Sequence, residues 1–330
     1  MVQKNFKSFF KALTLYQKNP NKFKGRPGLP KYLDKQKGRY IAWFTNQAVS
    51  KKVFKKTGKI KLSQCNIEFK TKLKSFEEID CVRIVPKNNH HVIEVVYTIV
   101  TPEKLTDNNK YAAIDLGVNN LATIVSNVKK FKPLIINGKP LKSINQFYNK
   151  KKAHLQSVNE IRHKIKTSRQ VQKLDLKRQN KINHYLHVSS KLIVNILKEN
   201  NINTLIIGKN DNWKQEVNIG TKNNQNFVSI PHSRFINFIN YKCEKEGINV
   251  ITKNENYTSK CSFLDLETIR KHKMYKGKRI KRGLFISSEG RKINADVNGS
   301  YNMLIKVIPN VFDNGIEGVG IHPRVIKILK

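Results

Sequence analysis

The sequence is short of acidic residues, with 23 Asp and Glu against 64 Lys and Arg in a chain of 330 residues. The resulting net charge of +41 destabilises a compact state by self-repulsion unless a polyanion neutralises it. A monomer that acts alone on a neutral metabolite has no use for such a charge. The imbalance therefore favours nucleic acid as the partner, ahead of an anionic membrane.

Long apolar runs and paired cysteines are also missing. No stretch of about 18 apolar residues occurs, so the sequence predicts no membrane span. The N-terminal residues lack the apolar centre of a secretory signal. The four cysteines, Cys65, Cys81, Cys243 and Cys261, form no Cys-x-x-Cys pair. We therefore expect a reduced, intracellular setting.

The pattern of the chain changes near Lys110, and 38% hydrophobic content is enough for folded domains. Residues 60–100 alternate apolar and polar positions, which predicts a small antiparallel β unit. The polar segment 101–110 is predicted to be a linker. From 111 to 306, predicted strands alternate with helices, and the helices between 143 and 200 are strongly basic. This order indicates an α/β domain.

Three of the scarce acids fall at predicted strand ends or helix starts in the α/β part. Asp115 ends the strand YAAID, Glu255 ends INVITKNE, and Asp296 opens the helix ADVNGSYNM. Strand ends are where sites form in open α/β sheets. Three carboxylates meeting there would hold two divalent cations about 4 Å apart, which activate a water and stabilise the leaving 3′-oxygen in phosphodiester cleavage. Mg²⁺ suits this role because it takes carboxylate and phosphate oxygens together.

Each of these acids also has a plainer interpretation, and spacing alone leaves it open. Asp115 could cap a turn, Glu255 could be a solvated strand end, and Asp296 could be a helix N-cap. A two-metal nuclease needs no general-base histidine, because the metal lowers the pKa of the attacking water. We therefore interpret three histidines as structural or phosphate-facing: His184, His187 and His232.

The segments around the three acids resemble the RuvC motifs of the TnpB (OrfB) family, the RNA-guided endonucleases of simple insertion-sequence transposons. The resemblance is carried by AAIDLGVNNLAT, by IIGKNDNWKQEVNIG with NNQNFVSIPH, by ENYTSKCSFLDLE, by GKRIKRGLF and by INADVNGSYN. It runs from about residue 5 to the C-terminus, and all strings occur in the family's order. The fold it implies is α/β: an RNase H-like (RuvC) nuclease domain preceded by a partial, β-rich, OB-like wedge domain. The implied domains are a recognition and wedge region (1–109), a first nuclease part (110–256), a basic insert (257–290), and a second nuclease part with a C-terminal tail (291–330).

The resemblance implies that Asp115, Glu255 and Asp296 are the catalytic residues and hold two Mg²⁺ ions. It implies a guide RNA from the transposon end and a double-stranded DNA target as partners, with no membrane and no small-molecule substrate. The implied reaction is metal-dependent DNA cleavage linked to transposition and DNA recombination. The alternative is a truncated or repurposed relative that holds RNA and DNA without cutting. A transposase with a Tyr nucleophile is disfavoured because no Tyr motif with a His pair is visible.

One departure from the family concerns zinc. Family members usually carry two Cys pairs between the second and third motifs, whereas here Cys261 stands alone and Phe285–Gly290 replaces the second pair. A structural zinc site needs four ligands, so we expect no zinc. We expect the insert to close around Phe263, Leu264 and Phe285, with Cys261 as a small buried residue.

A second departure concerns the N-terminus. The first residues resemble an internal segment of the family. We therefore expect the first wedge strand and much of the recognition helices to be missing. This departure favours the non-cleaving alternative.

Basic side chains concentrate in two segments of the α/β part. Between 150 and 200 there are 13 Lys and Arg and three acids, whereas a merely solvated helix would mix signs. This imbalance predicts backbone contacts to a guide–target duplex, in which base pairing supplies the sequence specificity. A second cluster, residues 270–282, would help to load the DNA strand if the resemblance holds. The predicted nucleic-acid-binding residues are Lys151, Lys152, Arg162, Lys164, Lys166, Arg169, Lys173, Lys177, Arg178, Lys181, Lys260, Arg279, Lys281 and Arg282. Trp213 and Phe227 are interpreted as core in preference to base-stacking platforms.

Overall fold

The computed structural model describes residues 2–32, 38–87, 90–209 and 230–328. The chain divides into two compact units, Met1–Ile99 and Val100–Lys330. No helix in the described part is long and apolar enough to cross a bilayer.

The first unit is built on short antiparallel sheets, as the alternating pattern predicts. One sheet has the order β1-β4-β5, and β2 and β3 form a separate two-stranded ribbon. A core of Phe54, Ile60, Leu62, Ile79 and Val82 lies between them. The elements are α1 (Val2–Lys18), β1 (Ala42–Thr45), α2 (Lys51–Thr57), β2 (Lys59–Lys61), β3 (Glu68–Lys70), β4 (Ile79–Lys87) and β5 (His90–Tyr97).

The second unit confirms the α/β prediction. Its strands and helices are β6 (Tyr111–Leu116), β7 (Asn120–Ser126), β8 (Leu134–Asn137), α3 (Lys139–His163), α4 (Arg169–Glu199), β9 (Thr204–Gly208), α5 (His232–Glu244), β10 (Asn249–Lys253), β11 (Lys278–Lys281), β12 (Leu284–Ile286), β13 (Lys292–Asn294), α6 (Ala295–Val307) and β14 (Arg324–Ile326). Six strands form one sheet in the order β10-β9-β6-β7-β8-β14. The neighbours β6–β7 and β7–β8 are antiparallel, whereas β6–β9, β9–β10 and β8–β14 are parallel.

Helices cover both faces of this sheet. On one face, Tyr185 and Leu186 of α4 and Phe235 of α5 pack in one buried cluster with Ala112 and Ile114 of β6. On the other face, α6 packs against the opposite side of β6 in a second cluster. Because successive strand residues point to opposite faces, β6 separates two apolar cores.

The predicted linker 101–110 belongs to the second unit. The unit boundary falls at Ile99, at the start of this linker instead of at its end. The amide of Leu105 donates to the carbonyl of Gly247 at 2.9 Å, and the Asn108 side chain donates to the carbonyl of Asn201 at 2.7 Å. Gly247 has a φ of +69°, and a Cβ there would collide with the carbonyl of Glu103. These contacts hold the linker against the α/β unit.

The insert between Glu255 and Asp296 is a small sheet, β11-β12-β13, on a loop packed against α6. Phe263, Leu264 and Phe285 are buried in the α6 cluster, as the sequence predicts. The ring of Phe263 stacks on that of Tyr301 with centroids 4.3 Å apart. Cys261 is buried, and its thiol lies near the carbonyl oxygens of Thr268 and Arg270.

Two carboxylates accept hydrogen bonds from other segments of the insert. Glu267 is only 4% exposed and accepts the amide N–H of Ser262 at 2.8 Å and that of Lys276 at 3.1 Å. Asp265 accepts both the amide N–H and the hydroxyl of Ser288. The insert has one cysteine, so the residues present do not supply the two Cys pairs of a zinc ribbon. Hydrogen bonds to Glu267 and Asp265 connect segments of the insert that are up to 23 residues apart.

Replacing Glu267 tests this arrangement. Glu267→Ala leaves two backbone N–H groups without their acceptor, so we expect a loss of about 2–4 kcal/mol in the free energy of unfolding, measured by urea denaturation. Glu289→Ala, at an exposed site of the same insert, is the control and should change it by less than about 0.5 kcal/mol. Zinc chelators should alter neither protein. Equal stability of the two variants, or one stoichiometric zinc per chain in metal analysis, would contradict this account.

Candidate active site

Asp115 faces α6 because of strand alternation along β6. Ala112 and Ile114 point into the α4 and α5 core, whereas Ala113 points into the α6 cluster. Asp115 follows at the next position on the α6 side. Gly299 of α6 permits the close approach, since a Cβ there would lie 3.3 Å from Asp115 Oδ2. Asp115 is thus a half-buried side chain between the strand and the helix.

Asp296 lies in the first turn of α6. The side chain of Asn294 is the N-cap, accepting the amides of Asp296 at 3.0 Å and of Val297 at 3.2 Å, so the interpretation of Asp296 as the N-cap is wrong. Asp296 Oδ2 accepts Nδ2 of Asn120 at 2.6 Å. Its Oδ1 lies 3.4 Å from a guanidinium nitrogen of Arg279. The carboxylate is therefore held from both sides.

Glu255 follows β10, which runs parallel to β9. Its side chain lies against the backbone of Gly208, the last residue of β9, where any Cβ would collide with the carboxylate. The backbone carbonyl of Glu255 accepts the hydroxyl of Thr258 at 2.8 Å, which starts the turn into the insert. Glu255 is half-buried, so it is not the solvated strand end of the plainer interpretation.

The carboxylates repel one another. Burial raises the pKa of Asp115 well above its usual range, and the charges of Glu255 and Asp296 add to the rise, while Arg279 opposes it. Burial also raises the pKa of Glu255 to about 7, against the opposing charge of Lys306. Converging acids with raised pKa values are relieved by a divalent cation, which becomes the largest local charge.

The chemistry of these donors fits Mg²⁺, which prefers carboxylate oxygens. Within the described ranges, no three Asp, Glu, His or Cys side chains lie close enough to hold one ion as they stand. Asn120 and Arg279 contact the two carboxylate oxygens of Asp296. A cation that uses Asp296 would therefore replace at least one of these contacts.

Basic side chains of the insert share a cavity with two of the acids. The cavity has a volume of about 770 Å³, and its lining includes Asp115 and Asp296. Four cationic side chains also line it: Lys139, Arg279, Lys281 and Arg282. The last three are predicted nucleic-acid-binding residues, so the structure places them beside the acids. Glu255 lies outside this lining.

The predicted nucleic-acid-binding residues of α3, α4 and the loop between them fall into an exposed group and a half-buried group. Eight side chains on or between α3 and α4 are exposed: Lys151, Arg162, Lys164, Lys166, Arg169, Lys173, Lys177 and Lys181. Lys152 and Arg178 are half-buried and face Tyr148, to whose hydroxyl Lys152 donates at 2.9 Å. Lys260 lies over the ring of Tyr275 in the insert. Trp213 and Phe227 lie outside the described residues.

The histidines take part in packing. His232 is buried, and its Nε2 lies 3.0 Å from the carbonyl of Gly117, just beyond β6. His187 stacks on Phe238 with ring centroids 3.9 Å apart. His184 is exposed on α4.

Sequence reasoning did not single out several residues that shape the site. Asn120 lies inside the motif AAIDLGVNNLAT, so its place in that motif was an available signal. Gly208 and Gly299 likewise lie inside the motifs IIGKNDNWKQEVNIG and INADVNGSYN. Lys139 and Lys306 lie in none of the quoted motifs and matter only through contacts made in the folded chain.

The raised pKa of Asp115 predicts a pH-dependent stability without metal. The folded state holds the proton more tightly than the unfolded state, so stability falls as pH rises through and above the usual carboxyl range. In EDTA at pH 8, Asp115→Asn should therefore raise the Tm, by about 2–4 °C for each kcal/mol of relieved repulsion, and the gain should vanish near pH 4. Adding Mg²⁺ should stabilise the wild type more than the variant.

Thermal unfolding followed by circular dichroism measures this effect. Asp313→Asn, at an exposed acid of the same unit, is the control and should show no pH-dependent gain. A variant Asp115→Asn that is equally destabilised at both pH values would contradict the repulsion.

Two protein-family models match segments of this chain. The OrfB_IS605 family model, described as a probable transposase, matches residues 94–214. A model described as the TNB domain of Cas12f1-like proteins matches residues 232–303. The two matched segments together contain Asp115, Glu255 and Asp296.

A TnpB-like protein, ORF457 of Acidianus two-tailed virus, is 27% identical over 233 residues, which is 67% of this chain and 47% of that protein. The chain thus spans about half the length of this curated relative. Two solved structures align with 92% of the chain at 15% identity. One is a Cas12f1–sgRNA–target DNA complex (TM-score 0.45, 78% of that chain), and the other is a CRISPR-Cas12f ternary complex (TM-score 0.43, 69% of that chain). The two family models and the TnpB-like relative support the TnpB (OrfB) family that the sequence motifs indicate.

Proposed function

We propose that this chain is a transposon-associated, RNA-guided DNA endonuclease that uses Mg²⁺ at Asp115, Glu255 and Asp296. One observation carries the proposal: Asp115 of β6 and Asp296 of α6, far apart in the sequence, share a cavity with four cationic side chains, and the charge of Glu255 also acts on Asp115. Acids alone would repel a nucleic-acid backbone. Cations beside them attract phosphate, and acids that repel one another attract metal, which together are what phosphodiester cleavage requires.

We also propose that the second unit has the RNase H-like (RuvC) fold. Support comes from the strand order, in which β6, β7 and β8 are antiparallel neighbours and β9 and β10 run parallel to β6. The nuclease parts would be 110–256 and 291–330, separated by the insert 257–290. The antiparallel strands within 1–109 would form the partial OB-like wedge.

The residues of this chain would act by holding charge in place. A bound divalent cation supplies an activated water and stabilises the leaving oxygen. Asn120 keeps the Asp296 carboxylate oriented by donating to Oδ2. Arg279 lies within reach of Asp296 Oδ1, and its guanidinium has the planar fork that binds a phosphate through two hydrogen bonds. A nucleic-acid strand that enters the cavity can therefore replace Asp296 as the partner of Arg279, through one of its phosphates.

The proposed partners are a guide RNA from the transposon end and a double-stranded DNA target. The exposed Lys and Arg side chains on α3 and α4 would contact successive backbone phosphates. Such contacts orient a duplex without reading its sequence. The alternative is a relative that holds RNA and DNA without cutting, and the next experiment distinguishes the two.

Cleavage of a plasmid tests the nuclease directly. The protein purified with RNA from its own locus should cut a matching plasmid in Mg²⁺, and Asp115→Ala should abolish cutting while keeping the RNA, because it removes a metal ligand without touching the basic helices. Asp313→Ala should cut like the wild type. A wild type that retains RNA but does not cut would contradict the nuclease and support the non-cleaving alternative.

Salt dependence of duplex binding tests the basic helices. Lys173 is exposed, so Lys173→Ala should lower the slope of log K against log salt concentration by about 0.9, the value for one phosphate contact. Lys152→Ala should change the slope less, because Lys152 already donates to Tyr148. Fluorescence anisotropy at several salt concentrations measures both slopes. An unchanged slope for Lys173→Ala would contradict a phosphate contact there.

A further inference from the structure

Phe147 is a large apolar side chain that α3 leaves 64% exposed. It lies between two surface depressions of about 270 and 430 Å³ and lines both of them. Single exposed aromatics are common on protein surfaces and carry no meaning alone. The neighbours of Phe147 therefore decide what the ring does.

Those neighbours are basic on both sides. The depression toward α4 includes Lys177, Arg178 and Lys181, and the other includes Lys150 and Lys151. No Asp or Glu is among the described residues that line either depression. A ring flanked by cations and free of acids is complementary to a nucleic-acid strand, which offers flat bases and regular phosphates.

The floor beside Phe147 is held rigidly. The hydroxyl of Tyr148 donates to Asp175 at 2.6 Å, so this half-buried acid already has a hydrogen-bond partner. Arg178 donates to the side chain of Asn145 at 2.8 Å, and its guanidinium lies 4.8 Å from the centroid of the Tyr148 ring. These contacts fix α3 against α4, so a ligand meets a preorganised surface and loses little binding free energy in ordering it.

We propose that Phe147 is a stacking platform for one unpaired base of a single-stranded RNA, with Lys177 and Lys181 on one side and Lys150 and Lys151 on the other binding the flanking phosphates. A base inside a duplex already has both faces covered, so the platform selects an unpaired base. Ser143 lies one helical turn before Phe147 and lines the same depression. Its hydroxyl both donates and accepts, which matches the 2′-hydroxyl that distinguishes RNA from DNA.

This inference rests on the proposed function only in requiring an RNA partner. The lysines alone would attract any polyanion, single- or double-stranded. The ring adds a contribution that does not depend on charge. Affinity and salt slope therefore separate the two contributions, and neither measurement requires cleavage.

The experiment uses the full chain and an RNA oligonucleotide of roughly ten nucleotides with a central 2-aminopurine, whose fluorescence falls on stacking. Phe147→Ala should lower the affinity about tenfold and abolish the fluorescence change, with the salt slope unchanged. Phe147→Tyr should retain both signals, because the ring remains. Lys177→Ala should instead lower the salt slope by about 0.7.

The controls separate stacking from a general defect. Ile161→Ala, at a 79% exposed apolar residue of the same helix, should bind like the wild type. The affinity for an RNA duplex should be equal for the wild type and Phe147→Ala. Unchanged binding of the single strand by Phe147→Ala, or an equal loss on the duplex, would overturn the platform. An equal loss on single-stranded DNA would overturn the assignment to RNA. If the wild type binds none of these probes, both this inference and the proposed RNA partner are contradicted.

Discussion

The mutual repulsion of three carboxylates around β6 and α6 is the constraint on which the site depends. In a chain with 23 acidic and 64 basic residues, the charges of Glu255 and Asp296 act on Asp115, and burial raises the pKa values of Asp115 and Glu255. The arrangement is tolerated because Asn120, Arg279 and Lys306 supply partial compensation. A divalent cation at the proposed site would supply the rest, so the same repulsion that costs stability would provide the driving force for metal binding.

Helix α6 connects the site to the rest of the second unit through hydrogen bonds. Its buried Asn298 accepts the amide of Phe263, and Asn302 donates to the carbonyls of Thr258 and Cys261. The hydroxyl of Ser300 donates to the carbonyl of Thr123 in β7 at 3.1 Å. One helix thus presents Asp296, fixes the sheet and anchors the basic insert. Because buried polar groups are costly when unpaired, these hydrogen bonds couple the position of the insert to the position of Asp296.

Sequence reasoning reached the α/β class and the positions of the three acids because these depend on local pattern. The apolar runs before Asp115 and before Glu255 predict buried strands, and the α6 motif predicts a helix start. The sequence predicted Arg279 only as one member of a basic cluster. Its place beside Asp296 arises from the packing of the insert. Gly208 and Gly299 lie in quoted motifs, but the reason for a glycine at each position, close approach of a carboxylate from a distant segment, is visible only in the fold.

The central claim is that Asp115, Glu255 and Asp296 together hold divalent cations, and calorimetric titration of the metal-free protein with Mn²⁺ tests it most directly. The account predicts saturable binding of about two ions per chain for the wild type. It predicts that Asp296→Asn, which keeps an acceptor for Asn120, weakens this binding strongly, while Glu289→Gln on the surface of the insert leaves it unchanged. Absence of saturable binding by the wild type, or equal binding by Asp296→Asn, would contradict the account.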